Sequence, residues 1–238
     1  MRAVGIDFGT TNSAVALYDG KSTRLADFGG GERAFRSLLF FPPPEDGQRP
    51  KAVLGSSAIA AYLDDSAGRL LQSMKSFLAS KTFTKTVIFG KTYSYEALLA
   101  FYLNDLRKRA EADLGPLGHR AVVGRPVRFA GDADGEALAL SRLKDAFARA
   151  GFTEIVFEYE PVAAAHAYEA DLDREATVLI ADFGGGGETL APQLTFPTTP
   201  FAITNPVWLD VDGDGEIAPS HVVPLPFAED AEEESEEQ

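Results

Sequence analysis

The chain has 238 residues, 45% hydrophobic and 24% charged, with a formal net charge of −14; this suits a globular protein with a real core and excludes disorder as the default. The acidic balance argues against a nucleic-acid binder, which needs a basic face for phosphates. Cysteine is absent, which removes disulfides, thiolate metal sites and cysteine nucleophiles together and fits a reducing compartment.

At the N-terminus, Asp7 interrupts the first apolar run before a leader could form, and no later stretch reaches bilayer length. The expectation is a cytoplasmic protein with neither nucleic acid nor membrane as partner. Val4 to Phe8 reads as a strand, Gly9 to Asn12 as a tight turn, and Ala14 to Tyr18 as an antiparallel return. Arg24 to Phe28 and Ser37 to Phe41 are expected to continue this meander until Pro42-Pro43-Pro44 stops it, because proline cannot donate to a ladder.

Ser56 to Leu71 takes on a helical pattern, and Tyr95 to Leu114 carries a strong one, with Leu98, Leu99, Tyr102, Leu106 and Ala110 on one side. Gly115-Pro116 ends that helix. Ala121 to Val127 reads as a buried strand, Gly135 to Ala150 as a helix closed by Gly151, Ile155 to Tyr159 as a strand and Pro161 to Ala170 as a small-residue helix. Thr177 to Phe183 is a strand entering four glycines. Strands alternating with helices imply an α/β layered fold. After Leu190 a proline-rich stretch, Pro192 to Pro226, loses all periodicity; we place a boundary at 187, giving units 1–187 and 188–238. Glu229 to Glu237 is an acidic run with no apolar face, read as a solvated tail.

One short echo carries chemistry. Asp7-Phe8-Gly9-Thr10 and Asp182-Phe183-Gly184-Gly185 each place an aspartate and a glycine turn at the end of an apolar strand. Glycine lets backbone N–H groups approach phosphate oxygens, and a carboxylate at each strand end can hold hydrated magnesium. Thr10, Thr11 and Asn12 add uncharged donors, and Gly186 extends the second turn. The competing reading of each loop is a plain turn, which Asp27-Phe28-Gly29-Gly30-Gly31 exemplifies.

Ile6-Asp7-Phe8-Gly9-Thr10-Thr11-Asn12-Ser13 resembles the first phosphate motif of the DnaK-type chaperones, the seventy-kilodalton heat-shock protein family. Glu160-Pro161-Val162-Ala163-Ala164-Ala165 resembles that family's Glu-Pro-x-Ala-Ala-Ala helix, and Val178 to Gly186 its second phosphate motif. Val123-Gly124-Arg125-Pro126-Val127 and Lys75-Ser76-Phe77-Leu78 look closest to the short bacterial YegD-like branch. The resemblance implies an actin-like (ribonuclease H-like) lobe with a mixed five-stranded sheet, ATP and Mg2+ as cofactors, and chaperone-like ATPase activity. It implies a catalytic Lys75, a water-positioning Glu160, magnesium carboxylates Asp7 and Asp182, ATP contacts from Gly9, Thr10, Thr11, Asn12, Gly184, Gly185 and Gly186, and a switch proline at Pro126. The bland alternatives are a solvated Lys75, a helix-capping Glu160 and a strand-ending Pro126.

The match departs from the family at Gly187 and Thr189, where threonine and aspartate are expected, and Glu188 adds a repelling charge beside an anion site. The family's relay arginine is not found either, since Leu140 lies nearest its place with Arg142 close by. Nothing from Ala191 onward resembles the family's second lobe, so the expectation is a truncated ATPase with impaired hydrolysis. The alternative is a chimeric, non-catalytic interaction module that self-associates through an exposed sheet edge or meets other proteins. In the C-terminal segment Asp210, Asp212, Asp214 and the sharp-turn Gly215 match the start of a calcium loop, but its twelfth position is His221. A Ca2+ site and an acidic turn are the two readings there. Val207 to Leu209 is expected to be a short strand.

Overall fold

The computed structural model describes residues 2–45, 48–129, 133–169, 178–180 and 207–209. Strand β1 (Ala3–Phe8) pairs antiparallel with β2 (Asn12–Tyr18), and β2 pairs antiparallel with β3 (Thr23–Leu25) and, at its start, with β4 (Phe35–Arg36). On its other side β1 is parallel to β10 (Arg120–Arg125), which is parallel to β11 (Glu154–Tyr159). The order is β11-β10-β1-β2-β3, and the added β4 makes the sheet six-stranded where five strands were expected.

The expected strand from Ser37 to Phe41 divides in two. Phe35 and Arg36 return to β2, while β5 (Leu39–Phe41) leaves for a three-stranded sheet with β6 (Val53–Leu54) and β7 (Arg69–Leu71). The helix expected from Ser56 to Leu71 is correspondingly shorter: α1 is Ser56–Asp64. Asp65 turns extended, its carboxylate accepts from the Ala67 N–H at 2.9 Å, and Leu70 and Leu71 pair along β5. A side chain on Gly68 would overlap the Phe40 ring, so the close approach of β7 needs glycine there. A hairpin of β8 (Lys85–Ile88) and β9 (Lys91–Ser94) was not foreseen; Phe89 and Gly90 both have positive φ, the two-residue turn that matches strand twist.

Helix α2 runs Tyr95–Leu114, as its sequence pattern indicates. The Ser94 hydroxyl caps it by accepting from the Ala97 N–H at 3.1 Å, and Gly115 ends it at φ 77°. Tyr95, Leu98, Leu99, Tyr102 and Leu106 recur at three- and four-residue steps and are all buried, each side chain contributing roughly 1.5–3 kcal/mol. Helix α3 (Ala133–Arg149) packs beside α2 and ends in a Schellman turn, with the Phe152 N–H on the Phe147 carbonyl and the Gly151 N–H on the Ala148 carbonyl. Both helices contribute to one core with Val4, Ile6, Phe8, Val15, Leu17 and Val123 of the sheet. Helix α4 (Glu160–Glu169) follows β11 without a break. Strand β10 stops at Arg125, before the expected Val127.

The short strand at Val207–Leu209 (β13) is present and pairs antiparallel with β12 (Val178–Ile180). The boundary at 187, the proline-rich stretch and the acidic tail lie outside the described residues.

The Tyr102 hydroxyl sits inside this core and donates to Ser13 Oγ at 3.0 Å; Ser13 Oγ is 2.8 Å from Ser37 Oγ. Burial pushes this phenol up from 10.0 to about 12, against the opposing pull of the Ser13 and Ser37 hydrogen bonds. An unfolded tyrosine ionises at its ordinary value while the folded one stays neutral. The stabilisation is therefore complete below pH 10 and lost as pH rises to about 12. Denaturant melts are expected to show about 2–3 kcal/mol lost across that window and a smaller loss in Tyr102→Phe; equal losses in both proteins would refute the assignment.

Candidate active site

Three parallel strand ends meet at one place. Asp7 lies near the carboxyl end of β1, Gly124 near that of β10, and Glu160 directly follows β11. In open α/β sheets the crevice beyond such ends is where ligands bind. A Cβ on Gly124 would lie 3.3 Å from Glu160 Cγ and 3.9 Å from Asp7 Cα. Glycine at this position therefore lets Glu160 pack across β10 beside β1.

Lys75 reaches the same place from a 3₁₀ turn, Met74–Phe77. Its Nζ donates to Glu160 Oε1 at 2.5 Å, and the two side chains are only 11% and 20% exposed. Two residues 85 positions apart are thus joined in a half-buried ion pair. Lys75 is therefore not solvated, and Glu160 holds a cation as well as standing at the start of its helix. Pro126 follows β10 directly, and its carbonyl accepts from Arg125 Nε at 3.0 Å.

The turn Gly9 to Asn12 closes the site's first side. A Cβ on Gly9 would overlap the Asn12 carbonyl oxygen, so the turn tolerates no side chain there. Its outer side is held by the Ser37 N–H on the Thr11 carbonyl at 2.8 Å and by Asn12 pairing with Arg36. The Ser13–Ser37–Tyr102 hydroxyl cluster ties the start of β2 to α2. By contrast, the Asp27 carboxylate spends itself on its own glycine loop, accepting from the Gly29 N–H at 2.7 Å and the Gly31 N–H at 3.1 Å. That loop is a plain turn, as expected.

With this geometry in place, residues 3–191 match the Hsp70 protein family. The chain belongs to the Hsp70 family. A chaperone protein DnaK from Mycoplasma mycoides subsp. mycoides SC is 33% identical over 186 residues, 78% of this chain and 29% of the relative. The chain therefore spans less than a third of that relative's length. The mixed sheet with its helices fits the actin-like ATPase lobe of Hsp70 proteins.

Within this Hsp70-family chain the structure brings together Asp7, Gly9, Thr10, Thr11, Asn12, Lys75 and Glu160 at one end of the sheet. Asp182, Gly184, Gly185 and Gly186 lie outside the described residues, as do the calcium-loop candidates Asp210, Asp212 and Asp214. No helix among the described residues is long and apolar enough to cross a membrane, and no cluster of three or more acidic or histidine side chains among them is arranged to hold a metal ion. Three residues behind the site, Tyr95, Arg125 and Arg142, receive no role there from the sequence. Arg142 carried a signal, since it occupies the buried stripe of α3 with Ala139, Leu143 and Ala146, where a charge demands partners.

Proposed function

We propose that this chain binds Mg·ATP as a chaperone-type ATPase lobe and hydrolyses it slowly. The supporting observation is the Lys75–Glu160 pair at the parallel strand ends, in a chain of the Hsp70 family. The residues suit the ligand: Gly9 permits a turn so tight that a Cβ would strike the Asn12 carbonyl oxygen, and the donors in that turn are uncharged. Gly9, Thr10, Thr11 and Asn12 would hold phosphate oxygens from one side, and Gly184, Gly185 and Gly186 from the other. Asp7 and Asp182 would hold magnesium through its waters. When bound, the metal neutralises phosphate charge. Lys75 donates toward charge building on the terminal phosphoryl oxygens, and Glu160 both fixes the Lys75 ammonium and accepts a hydrogen bond from the attacking water. Pro126 would couple that geometry to the conformation of β10. Gly187, Glu188 and Thr189 are the reason hydrolysis is slow. The YegD-like branch and a cytoplasmic location belong to the same reading.

Calorimetric titration with Mg·ATP is expected to show saturable binding that Asp7→Ala weakens more than about tenfold. Equal affinity in Asp7→Ala, or none in the unaltered chain, would refute the proposal. A second reading, a non-catalytic interaction module, is favoured by one feature: β12 pairs with β13 and stands apart from the main sheet order. In that reading self-association proceeds through an exposed sheet edge. Ca2+ at Asp210, Asp212 and Asp214 would be a separate property, read by the same calorimetry with calcium alone.

A further inference from the structure

The turn carrying Lys75 is held by a single buried guanidinium from a different helix. Arg142 on α3 is 4% exposed. Its Nη1 donates to the carbonyls of Phe77 at 3.2 Å, Leu78 at 3.0 Å and Ser80 at 2.8 Å, and its Nη2 to that of Phe83 at 3.2 Å. Its Nε meets Glu96 at 2.9 Å, which neutralises the charge. The guanidinium lies 4.9 Å from the centre of the Tyr95 ring, and the Tyr95 hydroxyl donates to the Met74 carbonyl at 2.5 Å. Carbonyls on both sides of Lys75 are therefore bound by donors from α2 and α3.

The backbone needs such restraint. Ser73, immediately before the turn, has φ 54°, a left-handed conformation that a non-glycine residue holds only when its surroundings impose it. Apolar anchoring contributes as well, since Met74 and Leu78 are buried. Apolar contacts are non-directional, whereas five acceptors around one planar fork set an orientation.

We infer that Arg142, with Tyr95 and Glu96, is the positioning device that aims Lys75 at Glu160 and at the terminal phosphate. The inference rests on the ATPase reading for its consequence, but not for its geometry. Arg142 touches no reacting atom; it acts through Lys75. Lysine cannot replace it, because an ammonium brings three donors from a point where guanidinium brings five in a plane. Arg142→Lys keeps the charge opposite Glu96 and loses most of the carbonyl contacts. Tyr95→Phe keeps the ring under the guanidinium and removes one hydrogen bond, at the residue before Lys75.

The test is made on the full chain with two readouts. Competitive acetylation compares Lys75 with Lys91, an exposed hairpin lysine. Lys75 is expected to label about tenfold more slowly in the unaltered protein, and within about threefold of Lys91 in Arg142→Lys, with Tyr95→Phe between. Single-turnover hydrolysis is expected to slow about tenfold in Arg142→Lys, while the Kd for Mg·ATP stays within about threefold. Thermal melts identify any variant that fails to fold, and Tyr95→Phe then carries the test alone. Unchanged Lys75 labelling in the folded variants would overturn the clamp. Exposed Lys75 with an unchanged rate would overturn its role in positioning. An unaltered chain that hydrolyses no ATP would overturn the proposed function, and the labelling result would still decide the clamp by itself.

Discussion

Gly9→Ala is expected to lower Mg·ATP affinity by on the order of 100-fold, the scale set by an ångström of misplacement in a binding geometry. The added Cβ meets the Asn12 carbonyl oxygen, which is backbone and cannot rotate aside like a side chain. The turn must therefore open, although its outer side is tethered by Ser37 to Thr11 and by Arg36 to Asn12. Part of the strain should appear as about 1–3 kcal/mol of lost stability, read by denaturant melts. Calorimetry reads the affinity. A variant that is destabilised yet binds normally would show that this turn is structural and that phosphate sits elsewhere.

Removing either partner of the Lys75–Glu160 pair should have an effect of similar size on chemistry. Lys75→Met leaves Glu160 without its cation, and Glu160→Gln removes both the anchor of the ammonium and the acceptor for water. Each is expected to lower the single-turnover rate by about 100- to 1,000-fold, the usual cost of losing an electrostatic group aimed at developing charge. The double variant should be no slower than the slower single one, because the two residues act as a unit. Additive losses would mean that the 2.5 Å contact is not part of the machinery. Binding is expected to survive in Lys75→Met, since the turn from Gly9 to Asn12 is built without it.

The legibility of the fold varied by element for physical reasons. Helix α2 was readable end to end because its cap, its apolar stripe and its closing glycine are all local. Residues 56–71 misled because the helical pattern that begins at Ser56 ends at Asp64, and β5 offers Leu70 and Leu71 a partner strand instead. The hairpin of β8 and β9 had a usable signal in Phe89-Gly90, although phenylalanine is an unusual residue at positive φ. At the site, Asp7, Gly9 and Glu160 were readable by resemblance, and Lys75 was left between a catalytic and a solvated reading. The part-buried ion pair with Glu160 removes the solvated reading, and the variants above test the catalytic one. Arg142 stands in the sequence only near the place of an absent arginine, and its own five acceptors are invisible there.

The sequence by itself determined what depends on neighbours within a few residues: the glycine turn after β1, the capped helix α2, the Schellman end of α3 and the motifs that carry the Hsp70 likeness. Steric exclusion and helical period act at that range and need no tertiary context. The tertiary structure decided what depends on separation. Lys75 meets Glu160 across 85 positions, and Arg142 grips the Lys75 segment across 65 positions or slightly fewer. Such pairs form only once α2 and α3 pack against the sheet and bury the charges together, because a buried charge left without partners would cost too much to keep.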